Sequence, residues 1–244
     1  MNKYIAAILL SLVVTPAFAV DHKVLNDRID QTNFLLDDDC SGTLVTPTRI
    51  LTAAHCLTSQ YKTIEREKID SDGVVKKEKV RVSVPGKASQ YVFAGPMIQS
   101  RTDYIYKVLD TDKDLDLGLI SIPEQKGPPA PVACKEVSRL DTVYAVGNSY
   151  AVLYASVTKG IVSSLNRSYR DLNIESESGG NGEHGFVQHS APTVGGNSGG
   201  AVYNDNAELV GVHVRGGATG FGLSVPNADV VNFLTKNGVN VCNR

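Results

Sequence analysis

The chain has 244 residues, 42% of them hydrophobic and only 7% aromatic, and its 24 Lys+Arg and 26 Asp+Glu leave a formal net charge of −2. That near balance, without a dominant basic cluster, excludes a nucleic-acid binder that works by neutralising phosphates. The length allows one large domain or two small ones with real cores.

The first nineteen residues (1–19) read as a signal peptide. Lys3 gives a positive start, 4–14 is almost wholly apolar, and Ala17-Phe18-Ala19 is an A-x-A cleavage site. The stretch is too short to span a membrane. No later stretch reaches membrane length, so a soluble, secreted or periplasmic protein with no membrane association is expected.

Four cysteines in an exported chain read as two disulfides. Cys40 and Cys56 bracket "CSGTLVTPTRILTAAHC", a strand-turn-strand pattern whose ends lie close enough to bridge. Cys134 is then left for Cys242.

Short alternating apolar runs separated by turn residues recur along the chain, among them "SGTLVTP", "RILTAA", "KVRVSVPG", "LGLISIPE", "TVYAVGN" and "ELVGVHV". This is the pattern of an all-β sandwich or barrel. Two charged arms, 65–70 and 76–81, flank the turn signal Ser71-Asp72-Gly73 and read as a solvated hairpin. "DTDKDLD" (110–116) imitates a calcium loop, but Leu115 and Ser121 stand where glycine and glutamate are needed, so no metal is expected. "EQKGPPAPVAC" (124–134), with three prolines, marks the junction between two halves, and "NRSYRDLNIESESGGNGEHG" (166–185) is expected to be an exposed, mobile loop. The one convincing helix is terminal, with Pro226 at its start, Val230, Phe233 and Leu234 on one face, and Gly238 closing it.

Three stretches carry chemistry together: "LTAAHC" with His55, "DLGLI" with Asp116, and "GGNSGG" with Ser198. Serine is a poor nucleophile until a base takes its proton, and imidazole titrates in the right range. A buried carboxylate would fix the imidazole tautomer and stabilise the imidazolium, and the order His, Asp, Ser is one of those that build such a triad. The glycines around Ser198 would keep side chains out of the substrate's way, and the N–H groups of Gly196 and Ser198 would form an oxyanion hole. Asp114 also precedes a leucine; a small residue two positions later, the pattern of the serine-protease family that these stretches resemble, stands after Asp116 as Gly118.

These stretches closely resemble the chymotrypsin-like serine proteases, over nearly all of the mature chain. The resemblance implies two six-stranded antiparallel β-barrels of chymotrypsin type with a C-terminal helix and the site between them. It divides the chain into an N-terminal barrel (about 24–123), a linker (about 124–133) and a C-terminal barrel with its helix (about 134–244). The catalytic residues it implies are His55, Asp116 and Ser198, acting without a cofactor on protein or peptide substrates, in a monomer.

Asn197 replaces the aspartate that pairs with a freed N-terminus in the digestive branch, so activation by that ion pair is not expected. Asparagine here is usual in bacterial glutamyl endopeptidases and in HtrA proteases; the chain ends at Arg244, where HtrA chains continue into a PDZ domain. "VLNDR" (24–28) resembles the mature start of glutamyl endopeptidases, which implies removal of a propeptide, 20–23. Thr193 and His213 match that group's pocket pattern, and Val214, Arg215 and Gly216 continue the substrate-binding strand. Pro192 stands at the pocket base where trypsin-like members carry aspartate. The expected preference is therefore glutamate on the acyl side of the cut bond. The alternatives are an HtrA-like periplasmic protease without a PDZ domain and a protease-fold binding protein without catalysis.

Overall fold

The structure, a computed structural model, describes residues 22–69, 71, 75–95, 97–216 and 220–242. The expected signal peptide, the first residues of the 20–23 segment, and Asp72 and Gly73 of the hairpin turn lie outside the described residues.

Helix α1 (His22–Thr32) leads into β1 (Asn33–Leu36), β2 (Cys40–Thr46), β3 (Arg49–Thr52) and a short 3₁₀ turn (His55–Gln60). The hairpin β4 (Tyr61–Ile69) and β5 (Val75–Ser83) follows, then β6 (Gly86–Ala94), β7 (Met97–Asp112) and β8 (Leu117–Ser121). The second half contains β9 (Thr142–Ser149), β10 (Leu153–Arg167), β11 (Phe186–His189), β12 (Ala201–Tyr203), β13 (Leu209–Gly216), β14 (Gly222–Pro226) and helix α2 (Asn227–Lys236). Two closed six-stranded antiparallel barrels result, one ordered β1-β2-β3-β8-β7-β6 and the other β10-β11-β14-β13-β12-β9. This is the chymotrypsin-type fold with its C-terminal helix.

Closure leaves no unpaired edge in either barrel. The strands facing the core, such as "LGLIS" in β8 and "TVYAVGNS" in β9, are buried over nearly their whole length. The charged arms form the two-stranded sheet β4-β5, paired in register from Tyr61↔Ser83 to Ile69↔Val75 and outside both barrels. Helix α2 packs Val230, Phe233 and Leu234 against the second barrel. Gly238, at φ +72°, then turns the chain so that Val239 N–H reaches Leu234 O at 2.9 Å, a left-handed stop that glycine adopts without strain.

Helix α1 departs from the expectation of a single terminal helix. Its sequence offers only Leu25 and Ile29 as a buried apolar pair, among residues with weak helix propensity. Docking holds it instead: the Thr32 and Tyr203 hydroxyls meet at 2.9 Å, and Arg28 donates to Pro129 O at 2.8 Å. The disulfides are Cys40–Cys56, inside the first barrel, and Cys134–Cys242, which ties the chain after α2 to the start of the second half.

The segment 166–185 also differs from expectation. Tyr169 is buried and stacks on Phe186 with ring centroids 4.7 Å apart. Ser178 is buried too, and donates to Lys113 O at 2.6 Å. A polar, glycine-rich composition signals solvent exposure on average. It does not reveal that Tyr169 anchors the loop to the second barrel and Ser178 ties it to the turn after β7.

Candidate active site

Register brings the first two site residues together. Strand β3 ends with Thr52 opposite Gly118 of β8, so the antiparallel pair, extended beyond its last rung, sets His55 beside Asp116. The Ala54 N–H closes the gap by donating to Asp116 O at 3.1 Å. The carboxylate is fully buried, and both its oxygens are used: Oδ1 accepts the His55 backbone N–H at 2.9 Å, and Oδ2 lies 2.8 Å from His55 Nδ1. Asp116 holds a left-handed φ of +55°, a conformation that aspartate tolerates better than most residues and that concentrates at functional sites. Asp114 is elsewhere, accepting the Asn181 N–H at 2.9 Å.

Ser198 sits half-buried between the barrels, three residues before the start of β12. Its carbonyl accepts the Ser41 N–H at 2.7 Å and lies 3.6 Å from Cys56 Sγ, the residue next to His55. The turn is fixed by its neighbours. Gly195 O accepts the Tyr150 N–H at 2.7 Å, and Gly196 O accepts the Ser41 hydroxyl at 2.7 Å. With those carbonyls turned inward, neither the Gly196 nor the Ser198 N–H has an acceptor among the described residues. Both are free to serve a developing oxyanion.

The glycines here have a different reason from the expected one. Gly196 and Gly199 have φ of +92° and +80°, and a Cβ would come within 2.2 Å of Asn148 O at the first and 2.1 Å of Thr52 Oγ at the second. They let the serine turn press against the neighbouring strands; only Gly195 of the group faces open space. Asn197 is buried and accepts a 3.0 Å hydrogen bond from Ser149 Oγ, a local use of the side chain.

The residues expected to bind substrate lie on β13 and in the turn before Ser198. Thr193, His213 and Val214 are buried, whereas Arg215 and Gly216 are half-buried. A Cβ on Gly216 would lie 2.2 Å from Thr193 Oγ, so its absence lets the strand pack directly against that side chain. Pro192 is exposed, its carbonyl accepting from Thr158 Oγ at 2.7 Å, so it does not floor the pocket. Thr193 Oγ and both ring nitrogens of His213 are buried without a protein hydrogen-bond partner among the described residues, and such orphans are uncommon.

Sequence reasoning missed two contributors. His189, on β11, is buried with its ring 5.6 Å from that of His213 and its Nε2 3.0 Å from Ser224 Oγ. Its bonded partner Ser224 is 35 residues away in sequence, so no local motif exposes it. Glu177 places Oε2 3.5 Å from His55 Nε2 and Oε1 2.7 Å from Arg215 Nη1. The run "ESES" carries no signal for that approach.

Electrostatics sort the three histidines. For His55, burial alone would lower the pKa, but the hydrogen bond and charge of Asp116, with Glu177 adding to them, leave it raised. Burial pushes His189 down to about 4. Burial first, then the neighbouring His189 and His55, hold His213 well below the usual range. Both pocket histidines are therefore neutral near pH 7, and each can still donate one N–H. The cluster of metal-type donors, Cys40, His55 and Cys56, has both sulfurs in a disulfide and so offers no thiolate. No helix among the described residues is long and apolar enough to cross a membrane.

Comparison with known proteins finds serine endoproteases among the similar chains. Over 137 residues the chain is 36% identical to the periplasmic serine endoprotease DegP of Salmonella typhimurium, covering 53% of this chain and 27% of that one. It is 34% identical over 129 residues to the periplasmic pH-dependent serine endoprotease DegQ of Escherichia coli, covering 50% and 26%, and 28% identical over 141 residues to human serine protease HTRA3, covering 57% and 30%. The chain thus spans about a quarter to a third of the length of these relatives. In fold it matches the serine endoprotease from Yersinia pestis with a TM-score of 0.60 at 20% identity, over 87% of this chain and 65% of that one. The likeness to HtrA-type proteases, second in the sequence reading, is the one these matches carry. A family model described as the trypsin-like peptidase domain matches residues 40–212, and the chain belongs to that family.

Proposed function

We propose that the protein is an exported serine endopeptidase of the DegP type, with Ser198 as nucleophile, His55 as general base and Asp116 as its orienting acid. The observation that carries this reading is the doubly bonded His55–Asp116 pair, next to Cys56, whose Sγ lies 3.6 Å from Ser198 O. Asp116 fixes the proton on Nδ1 and leaves the Nε2 lone pair to accept the Ser198 proton. Oγ then attacks the peptide carbonyl, and the Gly196 and Ser198 N–H groups receive the negative oxygen. His55 returns its proton to the leaving amine, and water repeats the sequence on the acyl-enzyme. The relatives' periplasmic names support a periplasmic or secreted location, acting on protein or peptide substrates without a cofactor. The signal peptide (1–19), the propeptide (20–23) and a monomeric state belong to the same proposal.

The glutamate preference is the finer part. Thr193 Oγ and the neutral His213 imidazole, orphaned and buried near Gly216, are suitable donors to a substrate carboxylate, and burying that carboxylate without donors costs several kcal/mol. Profiling the purified protein on a mixed peptide library tests both parts. Cleavage chiefly after glutamate, weakened by His213→Ala, is expected. Cleavage chiefly after apolar residues, unchanged by His213→Ala, overturns the preference and leaves the peptidase reading intact; no cleavage overturns both.

A further inference from the structure

The nitrogen that must take the serine proton, His55 Nε2, faces a carboxylate from the chain itself. Glu177 reaches it from the segment between β10 and β11, with Oε2 at 3.5 Å, while Oε1 is held 2.7 Å from Arg215 Nη1. The approach is built. Arg215 Nη1 also donates to Glu175 O at 3.2 Å, and its guanidinium lies 6.0 Å from the Tyr169 ring centroid. On the far side of Glu177, Ser178 is tied to Lys113 O and the Asn181 N–H to Asp114 Oδ1. A Cβ on Gly180 would come within 2.3 Å of Lys113 O, so the segment lies tightly against the turn that leads to Asp116.

We propose that Arg215 is a carboxylate-binding clamp at the mouth of the cleft, beside His55, which the chain fills with Glu177 and which an acidic substrate side chain takes over by displacing it. The inference rests on the serine-peptidase reading and deepens it, since it places a second acid-recognising group outside the Thr193–His213 pocket. Glu177 is half-exposed and its bonds are those of a surface pair, strong enough to compete and weak enough to exchange. A guanidinium presents paired donors to a carboxylate, which suits Arg215 to receive either occupant.

The test uses a fluorophosphonate, which reacts with an activated serine and needs no acidic side chain. Rates are taken on the alkaline plateau, where His55 is neutral and a change in its proton affinity has no effect. Glu177→Gln is expected to label about fivefold faster than the wild-type chain, the size of a half-exposed ion pair. Arg215→Gln should do the same, and the double variant no more than either. Glu175→Gln, which touches the clamp only through its carbonyl, should match the wild type. Glutarate should slow labelling of Glu177→Gln but not of the double variant. Equal plateau rates for Glu177→Gln and wild type, or a gain confined to the acid limb, would overturn the clamp, as would glutarate acting equally with and without Arg215. Labelling absent from every variant would overturn the catalytic reading and the clamp with it.

Discussion

His55 and Asp116 are joined at two points, backbone N–H to Oδ1 at 2.9 Å and Nδ1 to Oδ2 at 2.8 Å. The carboxylate therefore cannot rotate without breaking a buried bond, and the imidazole is held in one tautomer. Asp116→Asn presents an amide that favours the other tautomer. Turnover should fall by about 10⁴, the cost of the same change in the best-studied triad. Asp114→Asn, whose carboxylate serves Asn181 instead, should cost far less. Steady-state kcat/KM of the two variants checks this, and a larger loss at Asp114 would contradict it.

Activity should fall as pH drops through the titration of His55, because only neutral imidazole accepts a proton. Asp116 and Glu177 outweigh burial and hold that pKa above the ordinary imidazole value of 6.5, so the acid limb should lie above pH 6.5. Removing Asp116 takes away the largest raising contribution, and the limb of the residual Asp116→Asn activity should shift down. A kcat/KM profile that stays flat from about pH 9 to about pH 5 would contradict the general-base role.

The buried pocket histidines should make the fold acid-sensitive. His189 titrates at about 4 and His213 well below 6.5. Their stabilising contribution is complete above the unfolded value of 6.5 and is lost as pH falls, because the unfolded chain takes protons that the folded one refuses. Each can contribute up to about 1.4 kcal/mol per pH unit in that window. His55, with a raised pKa, acts oppositely: its contribution is complete below 6.5 and is lost as pH rises through its folded value. Urea midpoints measured from pH 7 to about pH 4 should fall steeply, and His189→Asn should flatten the slope. An identical slope in the variant would contradict neutral burial.

Ser41 links the barrels at the serine turn. Its hydroxyl accepts the Asn148 N–H at 2.8 Å and donates to Gly196 O at 2.7 Å, all of it buried. Ser41→Ala leaves those groups unpaired, at a cost of about 1–3 kcal/mol. It also frees the Gly196 peptide to turn, so kcat should fall while KM changes little. Denaturant titration with steady-state kinetics checks both effects.

Sequence showed most of the frame because barrels repeat a local signal. Alternating apolar runs, the paired cysteines and the order His55, Asp116, Ser198 each survive without knowledge of the fold. What stayed hidden depends on tertiary contact. Helix α1 is fixed by Thr32 against Tyr203 and by Arg28 against Pro129, neither of them visible as periodicity. Glu177 reaches His55 only because Tyr169 and Ser178 anchor a segment that composition marks as free. The glycines around Ser198 were legible as unusual, but their cause, backbone pressed against Asn148 and Thr52, needed coordinates.

The most direct measurement is the site of covalent labelling by a fluorophosphonate, read by intact mass and peptide mapping. A single adduct on the peptide carrying Ser198, abolished together with peptidase activity in a folded Ser198→Ala variant, is the result expected. An adduct on another serine, or wild-type turnover by Ser198→Ala, would contradict the assignment of Ser198 as the nucleophile.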